Sequence, residues 1–233
     1  MAQVYEIPPE AMQRIAKDRD GAAVWVKQGA RSDTPARLGT ESGRHSGMST
    51  LAAMAISVTP AADADAAALA AVAAATFPLA CPPSAAAEDV AAFIATHLSV
   101  QCFGDYLTDP DRIVLSASDS DGDSHRIVGY TMLIRGVGTD PDIGRAVRQR
   151  PAVEVSKMYV LPSHHSTGAA SALMRAAIDW ARADGAAAAW LGVNENNARA
   201  QRFYRKHGFE IAGSRTFRLG GGTESDFVMV RSL

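Results

Sequence analysis

The sequence predicts a mixed α/β fold: one mostly antiparallel sheet with helices on both faces. Three observations carry this. Short apolar runs alternate with helical patterns from about residue 55 to the end of the chain. Residues 112–117 (RIVLSA) and 126–134 (RIVGYTMLI) flank the polar turn SDSDGDSH, the signature of an antiparallel hairpin. Residues 153–161, 167–183 and 187–193 read strand, helix, strand, and that step alone demands parallel neighbours.

The elements follow in order. Residues 55–59 read as a short strand, and the alanine-rich 64–75 as a helix. Residues 84–98 (SAAAEDVAAFIATHL) form a second helix, with Ser84 as N-cap and acidic residues in its early turns. Residues 100–107 add a short helix, and 137–152 read as a loop. The strand 153–161 ends at Pro162. In 167–183, Leu173, Ala177 and Trp180 recur at i, i+4 and i+7, one face of a helix. Residues 187–193 are nearly all apolar, as in a central strand. Residues 197–206 form a helix stopped by Gly208. Two last strands, 210–219 and 224–232, flank a glycine turn. Upstream, a helical pattern (9–18) and a strand (22–26) precede QGARSDTPARLGTESGRHSG, a polar linker. The chain therefore divides into a poorly ordered extension, 1–47, and a folded domain, 48–233.

Composition narrows the function. The chain has 233 residues, 47% hydrophobic and 21% charged, enough for one cored domain and an appendage. Its formal net charge of -2 lacks the basic field of a nucleic-acid binder. Cys81 and Cys102 have no CxxC or Cys/His spacing and read as thiols in a reducing cytoplasm. The first residues lack the apolar core of a signal peptide. Pro60, Asp63, Asp65 and Pro78 break the alanine-rich stretch, well short of the roughly 20 apolar residues of a membrane span. A cytoplasmic protein with no membrane or nucleic-acid partner is expected, as a monomer or homodimer. No metal is expected either. The run Asp119–Asp123 mimics a calcium loop but has Ser124 and Tyr130 where glycine and glutamate belong. His164 and His165 have no third ligand at useful spacing.

Chemistry concentrates where strand 153–161 feeds helix 167–183. Ser166, Thr167, Gly168, Ala169, Ala170 and Ser171 are all small, so backbone can approach a ligand closely. A helix start also presents free N–H groups and partial positive charge, which suits a pyrophosphate.

The run His165-Ser166-Thr167-Gly168-Ala169-Ala170 resembles the Q/R-x-x-G-x-G/A acyl-CoA motif of the GNAT superfamily of acetyltransferases. Gly168 and Ala170 match, and His165 replaces the usual Gln or Arg. The later stretch NENNARAQRFYRKHGFE is similar to the family's N-x-x-A-x-x-F-Y helix followed by G-F, through Asn197, Ala200, Phe203, Tyr204, Gly208 and Phe209. The resemblance runs from about residue 55 to the end and is strongest over 154–209. It implies a GNAT-like sheet with a parallel β-α-β step at the coenzyme A site, and acetyl-CoA as cosubstrate. It places a base fourteen residues before Gly168, at Glu154. It assigns the strand backbone at Met158, Tyr159 and Val160, the turn from His165 to Ser171, and Asn197 to binding the donor. Tyr204 becomes the acid that protonates the departing thiolate. On the helix, Asn197 and Tyr204 stand seven apart, roughly 10 Å on one face, so one reaches the pantetheine arm and the other the sulfur.

The tail and WLGVNENN are similar to the narrower spermidine/spermine-type branch, which implies a polyamine acceptor. Asp226 and the pair Glu88/Asp89 are the carboxylates available to it, set against an ordinary solvated surface. Other small amines, such as an amino acid or a drug, and a protein N-terminus are alternative acceptors. A non-catalytic acetyl-CoA-binding regulator and an adaptor working through residues 1–47 are the non-enzyme alternatives. Arg199, Arg202, Arg205 and Lys206 read as a solvated helix face, one of them within reach of the donor phosphates.

Overall fold

The structure, a computed structural model, describes residues 55–81, 86–121, 124–219 and 222–233. The extension 1–47 and the domain start at Met48 lie outside the described residues. Seven strands form one sheet: β1 (Ala55–Pro60), β2 (Arg112–Asp121), β3 (Ser124–Arg135), β4 (Ala152–Val160), β5 (Ala188–Asn194), β6 (Glu210–Leu219) and β7 (Gly222–Ser232). Their order is β1-β2-β3-β4-β5-β7-β6. Every neighbouring pair is antiparallel except β4 with β5. The mixed, mostly antiparallel sheet with its parallel step is as expected.

The hairpin arms run further than the sequence predicts. β2 continues through Ser118, Asp119 and Ser120 because β1 pairs along that stretch and gives its polar backbone a ladder. The last strand likewise starts at Gly222 rather than 224. The six helices described are α1 (Ala66–Ala80), α2 (Ala87–His97), α3 (Val100–Thr108), α4 (Pro141–Ala146), α5 (Ala169–Ala183) and α6 (Ala198–Lys206). α1 outruns its expected end at 75, since Phe77 stacks on Phe93 of α2 at 4.4 Å and anchors the last turn. α2 starts at Ala87 with no side-chain cap from Ala86, and Ser84 lies outside the described residues. Ser99 caps α3, accepting from the Cys102 N–H at 3.2 Å.

α4 interrupts the stretch expected to be a loop. Asp140 accepts from the N–H groups of Asp142 (2.8 Å) and Ile143 (3.4 Å), and Pro141 takes the first helical position. Ile143 and Val147 then bury against Ala152, Ala188, Trp190 and Val228. The Asp-Pro pair was a readable helix start, masked by the shortness of the helix.

α5 crosses β1 to β4 on one face, and α6 ends beside it, Lys206 and His207 lining a cleft with Ser171, Arg175 and Ile178, while its Ala200 and Tyr204 join the main core. α1 and α3 cover the other face near β2 to β4, where Phe103 meets Tyr130 edge-on at 5.3 Å. α4 covers that face near β6 and β7. Leu173 and Ala177 of α5 are buried as expected, with Trp180 half-buried at the margin. Neither cysteine is in a disulfide. No helix among the described residues is long and apolar enough to cross a membrane.

Gly129 in β3 lets β4 approach closely. A Cβ there would stand 2.7 Å from the Tyr159 carbonyl oxygen and 2.9 Å from Val160 Cγ2. Gly129→Ala should therefore lower the unfolding free energy by about 1–3 kcal/mol, read from the urea midpoint at unchanged m-value.

Candidate active site

The site begins where two strands part. β4 and β5 pair over three residues only: Ala152 with Ala188, Val153 with Ala189, and Glu154 with Trp190. Beyond them β5 continues on β7 as far as Asn194, while β4 continues on β3 as far as Val160. The cause lies in β4. Met132 faces Lys157 and Leu133 faces Val155, so Ser156 is an extra residue, a bulge that bends the strand. The result is a wedge with Glu154 and Trp190 at its apex. The Leu161 N–H donates to the Val128 carbonyl at 2.8 Å. By antiparallel alternation Tyr159 also bonds toward β3, and the N–H and C=O groups of Met158 and Val160 turn toward the gap.

At the mouth of the wedge the chain makes a tight turn into α5. A 3-10 turn covers Pro162–His164. The Thr167 N–H (3.3 Å) and hydroxyl (2.9 Å) both donate to the His164 carbonyl. Gly168 is the N-cap of α5 with φ of 87°, a left-handed conformation that glycine adopts without strain, and no side chain caps the helix there. Ser166, Thr167 and Gly168 are exposed, Ala170 and Ser171 half-buried, Ala169 buried. Backbone N–H groups at the start of α5 lack helical acceptors by construction. The His165 Nε2–H donates to the Val160 carbonyl at 3.0 Å, which braces the turn against the end of β4.

α6 carries Tyr204 to the neighbourhood of Tyr159 in β4. Tyr204 is fully buried, and its hydroxyl has no hydrogen-bond partner among the described residues. Burial first, and the neighbouring Tyr159 second, hold its pKa well above the ordinary phenol value. The phenol thus keeps its proton throughout the neutral range. Asn197 sits one position outside the helix as its N-cap, buried, with Oδ1 accepting from the Ala200 N–H at 3.0 Å. Asn197 thus stands at the start of the helix rather than within it, where its oxygen holds the first turn.

The family model of the acetyltransferase (GNAT) family matches residues 82–209. An uncharacterised N-acetyltransferase of Mycobacterium tuberculosis is 54% identical over 169 residues, 72% of this chain and 98% of the relative. The chain belongs to the GNAT family of acetyltransferases. A streptothricin acetyltransferase of Streptomyces lavendulae is 36% identical over 104 residues, covering 42% of this chain and 50% of that protein. Among solved structures, the PaiA N-acetyltransferase of Thermoplasma acidophilum in complex with coenzyme A shares the fold at a TM-score of 0.58 and 18% identity, over 77% of this chain and 100% of that one. Arabidopsis thaliana NAA60 with acetyl-CoA does so at 0.59 and 15%, over 77% and 99%.

The chain is an N-acetyltransferase of this family with acetyl-CoA as its acetyl donor. The residues present fit that donor. The gap edge offers the Met158 N–H and C=O and the Val160 N–H to an extended arm, the Val160 carbonyl being taken by His165, while the glycine turn offers a phosphate seat and the Tyr204 hydroxyl is a buried donor in need of an acceptor. Glu154 is half-buried at the apex. Across the bulge, Lys157 lies on the same sheet face as Glu154 and is buried at 3% exposure. The sequence offered no sign of that, since only the extra residue at Ser156 turns a one-in-two alternation into a shared face.

The acceptor carboxylates fare unequally. Asp226 is buried and pairs with the Arg215 guanidinium across β6 and β7 at 3.1 Å, so its charge is already compensated. Glu88 and Asp89 are exposed in the first turn of α2. Of the basic residues on α6, Arg202, Arg205 and Lys206 are exposed as expected. Arg199 is half-buried, with Nη1 lacking a partner among the described residues, and burial, then the nearby Arg202 charge, lowers its pKa. Asp119, read as part of a turn, lies in β2 and bonds to His164. Among the described residues no group of three or more His, Cys, Asp or Glu is placed to hold a metal ion.

Removing the Tyr204 hydroxyl deletes a buried polar atom without breaking a bond. Tyr204→Phe should match or exceed wild type at pH 7, within about 1 kcal/mol. A phenol with a raised folded-state pKa is the last to ionise, so the unfolded chain gains charge first above the ordinary value of 10.0. Wild type should therefore lose stability as pH rises beyond that value, and Tyr204→Phe should lose less. Urea unfolding at neutral and strongly alkaline pH reads both.

Proposed function

We propose that the enzyme moves acetyl from acetyl-CoA to a primary amine of a small molecule by direct attack in a ternary complex. The buried, unpartnered Tyr204 hydroxyl beside the parted strands is the observation that supports this most. Glu154 takes the proton of the bound ammonium, directly or through a water, because an alkyl ammonium with a pKa near 10.4 is not a nucleophile. The wedge holds amine and thioester side by side, so proximity supplies much of the rate. The Met158 N–H, turned into the gap, meets the negative charge that builds on the thioester oxygen. Tyr204 donates its proton to the departing thiolate, a task suited to a phenol that stays neutral. The arm lies along Met158, Tyr159 and Val160, and the phosphates rest on the turn from Ser166 to Ser171. His165 and Asn197 serve as braces of that seat and of α6. No acyl-enzyme forms, so neither cysteine takes part.

The acceptor reading has two branches. A polyamine would draw on Glu88 and Asp89 rather than Asp226. The partial likeness to a streptothricin acetyltransferase supports a streptothricin-like small amine instead. Thiol release from acetyl-CoA with spermidine, streptothricin, amino acids and an N-terminal peptide separates them. Release with none of these would favour a binding protein without turnover.

With an active amine, Tyr204→Phe should lower kcat about 100-fold and leave the KM for acetyl-CoA within about twofold. Equal turnover would remove the phenol from the scheme. Glu154→Gln should be most impaired at low pH, where free amine is scarcest, and the gap to wild type should narrow as pH approaches the amine pKa. A pH profile parallel to wild type would exclude Glu154 as the base.

A further inference from the structure

The turn that feeds α5 is tied to a distant strand by a buried charge-bearing pair. His164 Nε2 lies 2.6 Å from Asp119 Oδ2, with side-chain exposures of 7% and 8%. A carboxylate oxygen only accepts, so Nε2 carries a proton and donates. The other ring nitrogen, Nδ1, is 2.8 Å from the Ser163 hydroxyl. The ring is therefore fixed at both nitrogens, and its own backbone carbonyl receives both bonds from Thr167. The bonds within the turn are local: Thr167 to His164 spans three residues and His165 to Val160 spans five. The bond to Asp119 spans 45 and reaches β2, which is separated from the wedge by β3 and β4.

Burying an imidazole and a carboxylate together is a poor way to add stability, because desolvation offsets most of the attraction. What such a pair does well is fix geometry, since the ring fits its two partners in one orientation. Four residues on, the chain must deliver Gly168 in its left-handed conformation and aim the first N–H groups of α5 outward. We infer that the His164–Asp119 pair is a positioning latch: it anchors the glycine turn to β2 and so sets the affinity for the phosphate end of the donor. This rests on reading that turn as the seat of the acetyl-CoA phosphates. The bonds of the His164–Asp119 pair run to the turn and to β2, so their effect should be confined to ligands that carry the pyrophosphate.

The test is calorimetric titration with coenzyme A and, separately, with pantetheine, which has the arm and thiol but no pyrophosphate. Wild type is compared with Asp119→Ala and with Asp119→Leu/His164→Leu. The latch predicts about tenfold weaker coenzyme A binding in both variants, with pantetheine affinity within about twofold of wild type. The double variant removes both partners, so no buried charge is left alone and stability returns; it carries the test if Asp119→Ala does not fold. Coenzyme A affinity that recovers along with stability would make the pair merely structural and overturn the latch. So would equal losses for the two ligands, or variants that match wild type. If wild type binds neither ligand, the donor reading of the turn falls and the latch falls with it.

Discussion

Everything at this site follows from the parting of β4 and β5 after three paired residues. A parallel pair in mid-sheet normally satisfies its backbone along its whole length, and an unpaired inner edge is a liability. Here the bulge at Ser156 bends β4 where the two strands separate, and the edge so exposed is an inner one that an extended ligand can complete as an added strand. The wedge thus opens beside one extra residue. Its apex is set by the Glu154–Trp190 pairing, and Trp190 is held there by its indole N–H bond to the Gly136 carbonyl at 2.9 Å.

The two helices that follow β4 and β5 turn this opening into a site with direction. α5 presents its N-terminal N–H groups at the mouth, where negative charge is stabilised. α6 presents a buried phenol deeper in, where charge is costly and a neutral donor persists. In the proposed complex the donor's own polarity, phosphates at one end and thioester at the other, runs along the same axis. Helix starts are fixed by short-range devices, Gly168 without a side-chain cap on α5 and Asn197 as the cap of α6, so placement of the chemistry depends on local backbone geometry as much as on the core.

Much of this was legible in the sequence, for physical reasons. The hairpin, the β-α-β step and helices α5 and α6 announce themselves through periodicity and punctuation. Tyr204, Glu154 and the glycine turn stand at the spacing the family resemblance requires. What escaped was long-range or two-sided. α4 is too short for periodicity to show, and it forms because Ile143 and Val147 find an apolar patch made by β4, β5 and β7. The bonds by which His165 and Asn197 brace backbone were likewise out of sight, because spacing does not say which partner a polar atom takes. Asp226 read as a candidate acceptor carboxylate or a solvated surface group because its partner Arg215 lies on the neighbouring strand, at a register visible only in the sheet. Asp119 looked like part of a turn for the same reason, its partner being 45 residues away.

The central claim is that the thioester sulfur sits in the wedge under the Tyr204 hydroxyl. A crystal structure of the full chain with coenzyme A tests it most directly. The account predicts the arm running antiparallel or parallel to Met158–Val160 as an added strand, the pyrophosphate on the Gly168 turn, and the sulfur within about 3.5 Å of Tyr204 Oη. A coenzyme A molecule bound outside the wedge, or one whose sulfur leaves that phenol without a partner, would contradict it.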